Sequence, residues 1–263
     1  MAFIDINGAH VYYESAGTGD AVVLLHAAIA DARMWDDQVR PFSQRYRVIR
    51  YDLRGFGQTT APPIKFTHHD DLRALLDALA VERAAVIGCS NGGRVAMNFT
   101  LANPDRVTKL AMVCSGPGGF APAEFVPAAL DQQLEEAFRA GDLEKAARLG
   151  AQLWFAGPNR PPEQVDPAKL ELVYEMCLND LRKDAAGVGD EQSMAPPAAE
   201  RLSEIHVPTL IITGEYDEPY PLLAAPFMEQ GIAGARRVSL PTAHLPSMER
   251  PDDFNRVMLE FLK

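Results

Sequence analysis

Residues 85–93 read Ala85-Val86-Ile87-Gly88-Cys89-Ser90-Asn91-Gly92-Gly93, and the fold turns on them. The apolar run is the end of a buried strand, and Asn91 to Ala102 follows as a helix that stops before Pro104. Ser90 therefore falls on a sharp strand-to-helix turn. Such a turn pushes the serine hydroxyl out of the sheet, and the small glycines on either side let the backbone pass closely. The helix that follows aims its free N–H groups and positive dipole end at the same place. The G-x-S-x-G pattern alone carries little, since chance supplies roughly one match in ten chains of this length. Its position carries the argument, against the competing reading of a capping serine beside a tight turn.

The runs Ala21-Val22-Val23-Leu24-Leu25, Arg47-Val48-Ile49-Arg50-Tyr51, Leu110-Ala111-Met112-Val113 and Thr209-Leu210-Ile211-Ile212 are continuously apolar or nearly so. Strands of that kind are buried on both faces, as in a parallel sheet covered by helices. Asp70 to Leu79 carries Leu72, Leu75, Leu76 and Leu79 on one helical stripe. Alternating strands and helices imply right-handed crossovers and an α/β fold with a doubly wound, mostly parallel sheet. Before them, Phe3–Ile6 and His10–Tyr13 flank Asn7-Gly8, the pair that suits a type I′ hairpin turn, and predict an antiparallel edge.

Between about Gly116 and Pro208 the alternation stops. Val126, Leu130, Leu134 and Phe138 recur every four residues, and Leu170, Val173, Tyr174, Cys177, Leu178 and Leu181 follow another helical stripe. The expected organisation is a core in two parts, residues 1–118 and 208–263, with a helical cap inserted at 119–207. No internal repeat is apparent.

The chain has 263 residues, with 25 Lys+Arg against 36 Asp+Glu and a formal net charge of −11. Hydrophobic residues at 47% and charged residues at 23% are globular values and exclude disordered and low-complexity classes. A pI near 5.0 argues against a nucleic-acid partner, which needs a basic face. No apolar run approaches the roughly 18 residues needed to cross a bilayer. The first ten residues have neither a basic nor an apolar export region. Cys89, Cys114 and Cys177 are an odd number without metal-like spacing, which fits a reduced, cytoplasmic protein. A homodimer stays open.

A nucleophilic serine needs a base, and the base an orienting carboxylate. Of six histidines, His244 lies in Leu240-Pro241-Thr242-Ala243-His244-Leu245-Pro246, a loop after the last strand-like run and before a final helix from Pro251. Loops at the carboxyl end of an open α/β sheet are where ligand chemistry sits. The acid is expected after the strand ending at Thr213, in Gly214-Glu215-Tyr216-Asp217. Asp217 is favoured, with Glu215 and Glu218 as rivals. Two backbone N–H groups are needed for an oxyanion hole. Asn91 supplies one, and Ala28, in the loop His26-Ala27-Ala28-Ile29, is the candidate for the other.

These residues give the chain its resemblance to the α/β-hydrolase superfamily over essentially its whole length. The match rests on His26-Ala27-Ala28, Asp52-Leu53-Arg54-Gly55-Phe56-Gly57, Gly88–Gly93, Gly214–Asp217 and the His244 loop running to Glu249-Arg250-Pro251. The order Ser90, Asp217, His244 is the order used in that fold. Arg33-Met34-Trp35-Asp36 followed by Tyr51–Gly55 is similar to the serine esterase and enol-lactonase branch. The resemblance implies a serine hydrolase that cleaves a carboxylic ester-type bond through an acyl-enzyme on Ser90, with no cofactor and no metal. The alternative is a lactone hydrolase like 3-oxoadipate enol-lactonase, and a non-catalytic ligand-binding relative is a third reading. The substrate is a small-molecule ester or lactone. Arg33 and Trp35 are candidates to hold a substrate carboxylate, and Trp154 to line an apolar pocket ceiling. Two positions depart from the family pattern: Ala27 replaces the usual glycine, and Asn91 follows the nucleophile where apolar residues or Gln are common, placing a polar side chain near the acyl pocket.

Other polar residues have structural readings. His26 orients the oxyanion loop. His68-His69-Asp70-Asp71 resembles a metal cluster, but Thr67 with Asp70 fits a capping box, with acids in a first helical turn. Cys89 is a core thiol and His206 a surface residue.

Overall fold

A computed structural model describes residues 2–187 and 189–263. In chain order the elements are β1 (Ala2–Ile6), β2 (Ala9–Ala16), β3 (Ala21–Leu25), α1 (Asp36–Phe42), β4 (Arg47–Tyr51), β5 (Lys65–Phe66), α2 (His68–Ala78), β6 (Ala84–Cys89), α3 (Asn91–Ala102) and β7 (Val107–Val113). Three helices follow, α4 (Ala129–Arg139), α5 (Leu143–Ala151) and α6 (Pro167–Ala186). Then come β8 (Asp190–Glu191), β9 (Thr209–Gly214), α7 (Pro219–Gly231), β10 (Arg236–Leu240), α8 (Pro246–Glu249) and α9 (Pro251–Leu262).

Eight strands form one sheet in the order β1-β2-β4-β3-β6-β7-β9-β10. The β1–β2 and β2–β4 pairs are antiparallel, and every later pair is parallel. At the hairpin, Asn7 and Gly8 both take positive φ, 45° and 76°, as a type I′ turn requires. Alternate residues of the parallel strands feed two cores. Val23, Leu25, Val86, Met112 and Ile211 face one layer, while Val22, Leu24, Ile87, Val113 and Ile212 face the other. Each such side chain contributes about 1.5–3 kcal/mol by leaving water. Register then places chemistry: Leu25 pairs with Gly88, Cys89 with Val113, Val113 with Ile212, and Gly214 with Leu240. The strand ends form one edge, where the loops after β3, β6, β7, β9 and β10 emerge.

The segment between β7 and β9 is mostly helical, but its stripes do not all start where periodicity suggests. Val126 is 69% exposed and lies ahead of α4, because Pro127 disfavours helical backbone at the residue before it. On α6, Val173, Cys177 and Leu178 are buried as expected. A second, two-stranded parallel ladder pairs Lys65 with Asp190 and Phe66 with Glu191, tying the end of this helical segment to the loop before α2. Two-residue strands leave no period to read. Among the described residues, no helix is long and apolar enough to cross a membrane.

Candidate active site

Ser90 sits between β6 and α3 with φ 52° and ψ −115°, a conformation that costs a non-glycine residue on the order of 1–3 kcal/mol. Its surroundings hold it there. Ser90 N–H donates to Val113 O at 2.8 Å, and the Ser115 hydroxyl donates to Ser90 O at 2.6 Å. A Cβ on Gly88 would overlap the Gly92 carbonyl, and one on Gly92 would overlap the carbonyls of Leu25 and His26. The glycines thus let α3 start directly against the end of β3, which brings the loop from His26 beside Asn91.

At the other end of the edge, His244 Nδ1 lies 2.8 and 3.0 Å from the two Asp217 oxygens. Both side chains are almost wholly buried. Asp217 Oδ1 also accepts the Glu218 N–H at 2.7 Å. Of the rival carboxylates, Glu215 is exposed, and Glu218 is buried with one oxygen accepting Ala128 N–H at 3.4 Å. Neither bonds His244. Ser90, His244, Asn91 and Trp154 line one cavity of about 270 Å³, whose remaining wall includes Pro117, Tyr220 and Pro221. Among the described residues the Ser90 hydroxyl has no hydrogen-bond partner, so Ser90 and His244 share the cavity without bonding in this conformation.

The loop after β3 is braced from below. Leu53 N–H donates to His26 Nε2 at 2.9 Å, so the proton resides on Nδ1, which donates to Ala27 O at 2.8 Å. Burial holds the pKa of this imidazole down, which keeps it neutral. Asp52 Oδ1 accepts Ala32 N–H at 2.8 Å, and its Oδ2 accepts Gln58 N–H at 2.6 Å. His26 thus ties the loop after β3 to the segment after β4. Ala28 is exposed on this loop while Ala27 is fully buried.

Two of the expected substrate contacts are elsewhere. Arg33 is paired with Asp31, Nη2 to Oδ2 at 2.7 Å, and lines a different cavity of about 320 Å³ with Tyr12 and Asp52. An acidic neighbour two residues away captures its guanidinium. Trp35 is fully buried and packs on Phe254 of α9, with ring centroids 5.9 Å apart. Both expectations are corrected. Trp154 does line the Ser90 cavity, from a single π-helical turn at Gln152–Ala156.

Several neighbours escaped sequence reasoning. Asn91 Oδ1 accepts from Arg94 Nε at 3.2 Å and Nη2 at 2.5 Å, so the polar group after Ser90 serves a second residue of the cavity wall. Glu249 Oε2 accepts Ala243 N–H at 2.7 Å and is held by Arg160 in a two-point ion pair of 2.8 and 3.0 Å. Cys89 Sγ lies 3.4 Å from His244 O. The first of these had a signal, the unusual Asn91; Arg160–Glu249 and Cys89–His244 are long-range pairs with none.

Among the described residues, one group of three metal-type donors converges: Cys114, Asp217 and His244, with ligand atoms within 4.8 Å. Burial and the Asp217 charge push the Cys114 thiol well up, so it is protonated, and His244 Nδ1 already engages Asp217. That donor set fits a hydrogen-bonded acid–base pair better than a cation. His68 to Asp71 do not converge. Thr67 Oγ1 accepts Asp70 N–H at 3.2 Å as a helix cap, and burial pushes His68 down to about 3.

Comparison with known proteins agrees with this architecture. The family model described as alpha/beta hydrolase fold matches residues 20–251. The chain is 29% identical over 272 residues to 2-hydroxy-6-oxo-6-phenylhexa-2,4-dienoate hydrolase of Comamonas testosteroni, covering 98% of this chain and 93% of that protein. It is similar to the enol-lactonase from Burkholderia xenovorans LB400, with TM-score 0.81, 25% identity and 99% of each chain covered. A hydrolase from Pseudomonas aeruginosa PA01 superposes with TM-score 0.79 at 30% identity, covering 99% of this chain and 97% of its own. With the family model spanning residues 20–251 of 263 and the strand order and serine turn in place, the chain belongs to the α/β-hydrolase fold family.

Proposed function

We propose that Ser90, His244 and Asp217 are the catalytic triad of this hydrolase and that they cleave a carboxylic ester-type bond. Ser90 Oγ attacks the carbonyl carbon as His244 Nε2 takes its proton. Asp217 holds the Nδ1–H tautomer and stabilises the imidazolium that forms. The backbone N–H groups of Ala28 and Asn91 receive the tetrahedral oxyanion, where one good donor is worth about 3–4 kcal/mol. His244 then protonates the departing alkoxide, and water deprotonated by His244 releases the acid from Ser90. The observation that carries this reading is the 2.8 Å contact of His244 Nδ1 with buried Asp217, at the wall of the cavity that Ser90 lines. Residues 119–207 act as a cap whose Trp154 closes that cavity. Three buried, unpaired cysteines support a cytoplasmic setting.

Two related substrates use the same residues. The likeness to an enol-lactonase supports a lactone, in which the alcohol stays tethered to the acyl group. The relative named for a 2-hydroxy-6-oxo dienoate supports a ketone substrate, whose hydrolysis breaks a C–C bond. The test is labelling with a serine-directed fluorophosphonate, followed by turnover of a neutral ester, an enol-lactone and a 6-oxo dienoate. Native protein is expected to label and Ser90→Ala not to; equal labelling of both, or none, rejects the triad. The rank of kcat/KM assigns the substrate.

A further inference from the structure

We propose that Arg94 anchors a carboxylate on the substrate, so that the preferred substrates of the Ser90 site are anionic. This rests on the catalytic reading above and adds a substrate class to it. Arg94 lies one helical turn past the serine, its N–H donating to Ser90 O at 3.1 Å, and it lines the same cavity. Among the described residues it is, apart from His244, the only basic side chain in that lining, which is otherwise largely apolar.

The guanidinium is held in place beforehand. Asn91 Oδ1 takes Nε and Nη2, and Glu191 of β8 takes Nη2 at 3.1 Å. Among the described residues Nη1 has no hydrogen-bond partner, and the side chain is 37% exposed. A planar guanidinium with one edge fixed and a donor left open is suited to a planar anion, and its ordering entropy is already spent. Glu191 offsets part of the charge, so a monoanion matches the site better than a phosphate dianion. Among the described residues the one carboxylate in the lining is Glu218, which is buried, and burial raises its pKa. The departure at Asn91 gains a reason: it is the bracket for Arg94.

The test compares 4-nitrophenyl glutarate, a monoanion, with its methyl ester, and an acetate ester carrying a carboxylate on the alcohol with its own methyl ester. In Arg94→Met the anionic-to-neutral ratio of kcat/KM is expected to fall about 10- to 100-fold for at least one pair. In Glu191→Gln, which removes a competing carboxylate, that ratio is expected to rise. A change below threefold in both pairs for Arg94→Met, or an equal loss on anionic and neutral esters, overturns the anchor. Binding separates this from the catalytic reading. Glutarate titrated into Ser90→Ala, followed by tryptophan fluorescence, is expected to bind about tenfold more tightly than into Ser90→Ala/Arg94→Met. Equal affinities sink the anchor even if esters are hydrolysed, and the expected difference upholds it even if they are not.

Discussion

The backbone N–H of His244 donates to the carbonyl of Trp154 at 3.1 Å, while the Trp154 indole lies 4.6 Å from the imidazole, centroid to centroid. One residue of the inserted helical segment therefore sets both the height of the His244 loop and the roof over its ring. The carbonyl survives any substitution, so the two roles can be separated. Trp154→Ala is expected to keep the loop, enlarge the 270 Å³ cavity and shift preference toward bulkier acyl groups. The ratio of kcat/KM for octanoate over acetate esters is expected to rise about tenfold, with Trp154→Phe between. An unchanged ratio would place the indole outside the acyl path.

Gly92 tests the serine turn without touching a reacting atom. A side chain there meets the carbonyls of Leu25 and His26, which are backbone and cannot rotate away. Gly92→Ala is expected to cost about 1–3 kcal/mol in urea unfolding and to push the loop carrying Ala28 away from Asn91. Turnover should fall by at least tenfold beyond any loss of folded protein, on the scale of an impaired oxyanion donor. Full activity at normal stability would mean that α3 and β3 are not in close contact.

The fold and the hydrogen-bonded half of the site could be read from local pattern because local pattern dictates them. Continuous apolar strands, the glycines around Ser90 and the carboxylates after β9 are short-range signals, and the strand order aligns them. Arg33 misled because a sequence lists charges without partners: Asp31 lies two residues away and takes it. Arg94 carries no local signal because a helix period does not say what stands opposite; its partner Glu191 is 97 residues distant. The apolar recurrence from Val126 begins ahead of α4 because apolar spacing continues through Pro127, while helical backbone does not.

Arg160 and Glu249 form a clamp behind the His244 loop, with side chains only 15% and 10% exposed. Glu249 also receives the N–H of Ala243, the residue before the imidazole. Arg160→Met leaves that carboxylate buried without its cation, which is expected to cost on the order of 2–3 kcal/mol. Glu249→Gln keeps an acceptor for Ala243 and should cost less. Because the clamp positions His244 rather than the substrate, kcat is expected to fall in Arg160→Met with KM little changed. A rise in KM alone would assign Arg160 to substrate contact.

Asp180 of α6 is one of the contacts that fasten the inserted helices to the core, and its contribution is expected to depend on pH. Asp180 Oδ1 accepts the Gly57 N–H at 3.2 Å, while its Oδ2 is buried without a partner. Beside it, Lys183 Nζ donates to Thr59 O at 3.0 Å. Burial, with Asp31 and Asp52 nearby, pushes the Asp180 carboxyl up to about 8. In the unfolded chain the same group titrates near 3.9, by the ordinary value for aspartate. Between those limits the folded state holds a proton that the unfolded state has released. The contribution of Asp180 to stability is therefore whole below about pH 4, falls as pH rises toward about 8, and is level above. Asp180→Asn keeps the acceptor for Gly57 and has no proton to lose. Its stability relative to wild type is expected to match near pH 4 and to rise with pH, by at most about 1.4 kcal/mol per unit, up to about pH 8. Urea unfolding at pH 4.5, 6.5 and 8.5 reads this directly. A constant difference across that range, or one that turns against Asp180→Asn as pH rises, would show that the carboxyl is ionised in the folded protein and that Lys183, not a bound proton, balances it.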